Sequence, residues 1–412
     1  MKNISVKEQE DPMDRREFLK LAAGASALAM CPLAGAAEAS SVERPPGKPL
    51  TRGADARVFL AGVGRGAPEG DLKLAVRACA EGATDFSWLS KGDTVFIKPV
   101  VNSGNPYPAT TSPAAVVAMI ELFREKGAGR IIVGDMSGVE VVRFSATDLR
   151  GSTRALMESC GLAAAVKAAG AELHAFEEAG WDAFYEDAPV EGAHWKKPLM
   201  MPNVLKEADH IVLMPRCSRH VLAGSTLGLK AAVGYWRHDT RLEYHKDAAS
   251  FHEKTAEGNT VGTLLAKQRL VVTAADKVLA TFGPDKGLII EPETGLVIAS
   301  ASVAAHDLVS LAWLLENRRV MPDEEKDGYY DTSRVVARIG NRMVVKWLGG
   351  WGASFSSDPF IKDTVEAVWD DRCLIRACEV SGGAPGVILE AVNREVTEDL
   401  KARLGRMTSL PG

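Results

Sequence analysis

The sequence lacks most of the features that announce a function. Aromatic residues make up only 6% of its 412 positions. None of its six cysteines forms a Cys-x-x-Cys pair, which argues against an iron–sulfur cluster. Six cysteines in so long a chain also rule out a disulfide-framework miniprotein. No run of basic residues occurs, and 49 Lys+Arg against 54 Asp+Glu leave a net charge of −5. A nucleic-acid binder needs a concentrated positive face to neutralise phosphates, so that class is disfavoured. No complete Gly-x-Gly-x-x-Gly follows a strand signal, and no Walker motif or Gly-x-Ser-x-Gly elbow is present. Dinucleotide oxidoreductases, P-loop enzymes and ordinary serine hydrolases are disfavoured with them. The nearest approach to a dinucleotide motif is Gly62-Val63-Gly64-Arg65-Gly66-Ala67. It reads as a plain turn, because Pro68 and Gly70 delay the helix that should open there. What remains is an ordinary globular composition, 46% hydrophobic and 25% charged.

The N-terminus reads as an address. Asp14-Arg15-Arg16-Glu17-Phe18-Leu19-Lys20 precedes a short apolar stretch, Leu21 to Leu33, and the small-residue run Ala34-Gly35-Ala36-Ala37. This resembles a twin-arginine export signal with an Ala-x-Ala cleavage site. The apolar stretch falls short of the ~20 residues that a membrane anchor needs. Leu28-Ala29-Met30-Cys31 is a poor lipobox, since Met30 stands where a small residue is wanted. The expectation is a signal over 1–36, a Pro- and Ser-rich linker over 37–56, and a soluble periplasmic protein delivered by the twin-arginine translocation machinery. It keeps Cys79, Cys160, Cys217, Cys373 and Cys378, an odd number that leaves at least one thiol unpaired in an oxidising compartment.

Beyond the linker, short apolar segments alternate with segments of helical period. Val58–Val63 and Thr94–Ile97 read as strands, and Ser112-Pro113 as the N-cap and first residue of a helix over 114–126. Gly127 stops that helix and Arg130–Val133 follows as a buried strand, completing a βαβ unit. Helices are predicted over 155–169, 225–234, 260–267, 303–316 and 390–404. Further strands are predicted over 172–176, 211–214, 270–273, 289–290 and 296–298. The fold class is α/β, a mainly parallel sheet flanked by helices, with inserted cap segments near 180–200 and 320–360. The core spans 57–320, and 321–412 is a C-terminal α/β extension packing on it. Cys373 and Cys378 have an odd offset that on a flat strand would turn their thiols to opposite faces.

In an open parallel sheet, ligands bind beyond the carboxyl ends of the strands. Lys98, Asp135, the group Arg216, Cys217, Arg219 and His220, and Asp276 each follow a predicted strand. Downstream, His238, His245 and His252 recur every seven residues. On one helix that spacing would part successive imidazoles by about 10 Å, too far to share one ion. A His joined to Asp135 or Asp276 across the fold would instead make a His/carboxylate site.

These residues carry a resemblance. Ile97-Lys98-Pro99-Val100-Val101-Asn102, Thr111-Ser112-Pro113 to Gly127 and Ile131–Asp135 resemble successive segments of the domain of unknown function 362 family. So do Pro215-Arg216 to His220, Leu227-Gly228-Leu229-Lys230 with Gly234, and Arg241 with Tyr244-His245. Ala275-Asp276 to Gly283-Pro284 and Val303-Ala304-Ala305-His306-Asp307 complete the pattern. Departures are Val100 or Val101 and Ala231 where Asn is usual, Arg216 where Lys is usual, and Ser302 where a first Asp is usual. The resemblance runs from about Val58 to Trp313 and implies the α/β fold without supplying a reaction.

Three functions remain open. In the first, an exported enzyme binds a small anionic substrate or cofactor through Lys98, Arg216, Lys230 and Arg241. Its catalytic candidates are His220, His245 and Asp276, and its candidate ligands for a divalent metal are Asp135 and Asp307. The second is non-catalytic capture of a small anion or metal in the same crevice. The third is an accessory factor for an exported redox enzyme.

Overall fold

The computed structural model describes residues 50–323, 334–360 and 365–411. The export signal and most of the linker lie outside the described residues. Strand β1 (Arg52–Gly64) begins within the expected linker and is followed by helix α1 (Glu69–Ala83). The βαβ unit comes next: β2 (Thr94–Pro99), α2 (Pro113–Glu125) and β3 (Arg130–Asp135). Ser112 caps α2 by accepting the Ala115 amide, with Pro113 at the first helical position.

The helix expected over 155–169 is two, α3 (Thr153–Ser159) and α4 (Leu162–Ala168), separated by Gly161 at φ 83°. Strand β4 (Glu172–Ala175) follows, and then β5 (His210–Met214). Two short strands, Phe184–Asp187 and Leu199–Pro202, make a separate hairpin in the inserted segment near 180–200.

The first residues of the helix expected over 225–234 belong to a hairpin of β6 (Arg216–His220) and β7 (Gly224–Thr226). The rest of it is helical, as the turn α5 (Gly228–Ala231) continued by a 3-10 turn over Ala232–Tyr235. The histidine heptad is split between α6 (His238–Lys246) and α7 (Phe251–Glu257). Helix α8 (Gly262–Lys267), strand β8 (Gln268–Leu279), strand β9 (Thr294–Ser300) and helix α9 (Val303–Arg319) complete the core. The C-terminal part contributes α10 (Arg334–Phe355), α11 (Arg372–Val380), β10 (Ala384–Ala391) and α12 (Glu398–Thr408).

The main sheet has the order β10-β1-β9-β8-β5-β2-β3-β4, with the β6–β7 hairpin attached to β8. Its pairings are parallel except where β9 lies between β1 and β8 and in the short β7 and Ile289–Ile290 pairings. A strand buried on both faces needs an almost unbroken apolar run. Val95-Phe96-Ile97, Ile131-Ile132-Val133 and Ile211-Val212-Leu213-Met214 supply it, each at or near zero exposure. One apolar layer gathers α1, α2 and α4 on one face. Another gathers α9, α11 and α12 around β1 and β9. Cys373 and Cys378 lie on helix α11, not on a strand, and all five described cysteines are free and buried.

Candidate functional site

Parallel pairing sets the carboxyl ends of β5, β2 and β3 side by side. At that edge Lys98 and Asp135 form an ion pair of 2.6 Å, both side chains enclosed. Lys98 Nζ also donates to the carbonyls of Pro99 and Ala231, at 2.8 and 3.3 Å. Asp135 accepts the amides of Val101 and Met136, at 2.8 and 2.9 Å. Burial pulls the Lys98 pKa down, and the Asp135 carboxylate opposes that pull. Arg241 donates to the carbonyls of Trp236, Ser137, Met136 and Gly234. Backbone groups left unpaired where strands end must find partners, and these charges supply them. Lys98 and Arg241, expected as ligand contacts, and Asp135, expected as a metal ligand, therefore act as ties between loops.

Gly234 makes the approach possible. A Cβ there would collide with Asp135 Oδ1 and Lys98 Nζ. Gly234→Ala is expected to cost about 1–3 kcal/mol, the usual range for overpacking. Chemical denaturation checks this, and an unchanged midpoint would show that the network has slack.

Asp307, the other expected metal ligand, is likewise committed. It accepts the amides of Gly228 and Leu229 at 2.9 and 2.7 Å and pairs with His306 Nδ1 at 2.7 Å. Its lone pairs thus face N–H donors and hold the start of α5. Asp276 accepts the Tyr107 hydroxyl at 2.6 Å and makes no hydrogen bond to either His220 or His245. Among the described residues, no three His, Cys, Asp or Glu side chains gather where a metal ion could sit.

The hairpin is different. Side chains of a strand alternate between faces, so Arg216, Ser218 and His220 share one face of β6. Thr226 stands directly opposite Ser218 in the register. On this face, buried polar atoms go without partners among the described residues: Arg216 Nε and Nη2, Ser218 Oγ and Thr226 Oγ1. Arg216 is fully enclosed and anchored only through Nη1, to the carbonyls of Ala109 and Pro284. Burial lowers its pKa to about 10, and the nearby Asp285 charge works against that shift. Cys217 points to the other face, where its thiol donates to the Ser310 carbonyl at 3.4 Å. Burial pushes that thiol up and makes it a poor nucleophile.

Two imidazoles and an amine continue the row. His220 Nδ1 accepts the amides of Leu222 and Ala223 at 3.0 and 3.2 Å. Its proton therefore sits on Nε2, which has no partner among the described residues. His245 Nδ1 meets Asn341 Oδ1 at 3.2 Å, so it carries the proton and leaves the Nε2 lone pair free. Burial, then the Lys230 charge, holds both rings neutral, with His245 at about 3. Lys230 Nζ makes no hydrogen bond among the described residues and stands 5.6 and 6.0 Å over the Tyr244 and Phe251 rings. Burial first, and then the Arg241 charge, brings its pKa down to about 7. Lys230 also lines a cavity of 20 Å³ with His252, Thr255, Asp307 and Cys373, room for one water.

The structure thus brings Arg216, His220, Lys230 and His245 into one electrostatic neighbourhood. Arg241 acts on Lys230 and His245 from its edge and Asp307 lines the Lys230 cavity, whereas Lys98, Asp135 and Asp276 are paired elsewhere. Ser218 and Thr226 are candidates that the sequence reading missed. Their signal was the alternation Arg216-x-Ser218-x-His220 before Gly224, which marks a hairpin strand with one polar face.

No curated protein matches the chain. Among solved structures, the lactate racemase apoprotein from Thermoanaerobacterium thermosaccharolyticum is similar at 14% identity with a TM-score of 0.36. That likeness covers 60% of this chain and 54% of the other. A protein from Thermotoga maritima is similar at 13% identity and a TM-score of 0.32, over 52% of each chain. The chain therefore spans little more than half the length of either structure. The family model described as domain of unknown function (DUF362) matches residues 95–312, from β2 into the middle of α9. The chain belongs to the domain of unknown function family DUF362.

Proposed function

We propose that this chain is an exported enzyme that holds a small oxyanion, a carboxylate or a phosphate, on the β6–β7 face beside Lys230. The observation that carries this reading is the row of unpartnered groups Arg216 Nε and Nη2, Ser218 Oγ and Thr226 Oγ1. Leaving buried polar groups unpaired costs ~1–3 kcal/mol each, so a fold that retains several in one row retains them for a partner. The Nε/Nη2 edge of a guanidinium matches the two oxygens of a carboxylate or phosphate. His220 adds an N–H donor, and Lys230 adds a cation once protonated. The unprotonated nitrogen of His220 is taken up by two amides, so His245, whose Nε2 lone pair is free among the described residues, is assigned as the base, with Lys230 as a second one above its pKa. Asp135 and Asp307, whose oxygens accept N–H donors, are assigned no metal. Export rests on the Arg15-Arg16 signal, and five buried free thiols suit a chain that folds in a reducing compartment before transport.

The pH dependence tests this directly. Oxalate keeps a constant charge from pH 6 to 8.5, so any change in its binding reports the protein. Affinity is expected to weaken about tenfold over that range as Lys230, with a pKa of about 7, loses its proton. Folding should respond in the opposite sense. A lysine lowered from 10.5 to about 7 binds more protons when unfolded, so its penalty is full below about 7 and fades as pH rises towards 10.5. Lys230→Met should therefore be more stable than the parent at pH 6, and equal stability would refute the buried-amine assignment. A second reading, capture without turnover, rests on His220 being a donor and not a base. His245→Ala decides between them: the enzyme reading predicts lost turnover with binding retained.

A further inference from the structure

Helix α10 takes no part in the candidate site beyond Asn341, yet its outer surface is unlike the rest of the chain. Between Arg334 and Ser357 the sequence contains no Asp or Glu, in a chain whose net charge is −5. Arg334, Arg338, Arg342 and Lys346 recur at every fourth position. The inner face, Ala337, Asn341 and Val345, is buried, and the helix packs on α6. Apolar residues continue onto the outer face, where Val335 is 63% exposed and Ile339 36%. Beyond a bend at Gly350, Trp351 and Phe355 are 53% and 72% exposed and stack with ring centroids 5.5 Å apart. Lys346 Nζ lies 4.3 Å over the Trp351 ring, and Arg143 lies 5.6 Å over the ring of Trp347.

Large apolar side chains held in water are unfavourable in proportion to their area, and a cluster of them marks an interaction surface. The mixture decides the partner. Exposed Trp and Phe rimmed by Lys and Arg, with acids excluded, is the composition of a helix lying in the plane of a bilayer interface. No described helix is long and apolar enough to cross a membrane, so the contact is with the surface. A second copy of the chain is the poorer occupant, because a two-fold interface would set this basic face against itself.

We propose that α10 docks the folded protein on an anionic phospholipid bilayer. Trp351 and Phe355 enter the boundary between headgroups and acyl chains, and Arg338 and Lys346 meet lipid phosphates. The test is co-sedimentation of the full chain with phosphatidylglycerol-containing vesicles and with pure phosphatidylcholine vesicles. Each variant keeps the same N-terminus, so residues 1–49 contribute equally throughout. Trp351→Ser/Phe355→Ser should lower partitioning at least about tenfold, the loss expected for two buried aromatic anchors. Lys346→Glu and Arg338→Glu should each cost about fivefold or more on anionic vesicles and little on neutral ones. All are surface changes and should keep the parental melting temperature. Partitioning unchanged in the aromatic variant would overturn the proposal. So would a concentration-dependent dimer of the parent that the same variant dissolves, which would make the patch an interface between copies.

Discussion

Lys98→Met is expected to destabilise the fold by about 3–5 kcal/mol, the range seen when one partner of an enclosed ion pair is removed. The lost ammonium forms the ion pair with Asp135 at 2.6 Å, and both side chains lie inside the protein. It also supports the Pro99 and Ala231 carbonyls, which join the end of β2 to α5. Asp135 keeps its two amide donors, so the cost should stop short of unfolding the chain. Adding Asp135→Asn removes the stranded charge while keeping an acceptor for the Val101 amide. The double variant should recover part of the loss in urea denaturation. A single variant within 0.5 kcal/mol of the parent, roughly the scatter of neutral surface changes, would show that Lys98 is not structural.

Ser218→Ala/Thr226→Val is expected to do two things at once: weaken oxyanion binding about a hundredfold or more and raise stability by about 0.5–2 kcal/mol. Both hydroxyls are buried without partners among the described residues, so folding loses no hydrogen bond when one is removed and the other becomes a methyl group. Binding loses two hydrogen bonds to an anion, each worth ~1.5–3 kcal/mol when the partner is charged. Most substitutions destabilise, and a gain in stability bought by lost function is what a site held open for a ligand produces. Calorimetric unfolding and ligand titration on the same preparation would separate the two effects. A destabilised double variant would mean that these hydroxyls are satisfied within the protein.

How far the sequence could be read depended on whether the determinant was local. Helix α2 was legible because Ser112, Pro113 and Gly127 mark both of its ends, and α9 because its apolar period is long. The buried strands announced themselves as β-branched runs. Only the start of the helix expected over 225–234 was misread: Gly224, at φ 79°, turns the chain into a hairpin, and the helical turns begin at Gly228. At the C-terminus, Ala384–Ala391 is a strand because β1 offers it a parallel edge, a long-range fact. The Asp371 side chain, accepting the Leu374 amide at 3.0 Å, caps a helix where a strand had been assumed.

For the site, sequence position alone could not tell a charge that meets a ligand from one that meets the backbone. Lys98, Asp135, Arg241 and Asp307 sit where ligands bind in such sheets, yet their hydrogen bonds are spent on the ends of strands and helices. Arg216, His220, Lys230 and His245 occupy equally plausible positions and have groups to spare. Ser218 was marked only by the alternation Arg216-x-Ser218-x-His220, and its meeting with Thr226 depends on hairpin register.

The decisive measurement is calorimetric titration of the folded chain with oxalate, sulfate and inorganic phosphate at pH 6, beside Arg216→Met. An oxyanion site on the β6–β7 face predicts one-to-one binding of at least one anion, weakened roughly 30-fold or more in Arg216→Met, as for loss of a buried charged contact. No binding of any of the three, or equal binding by parent and variant, would contradict it.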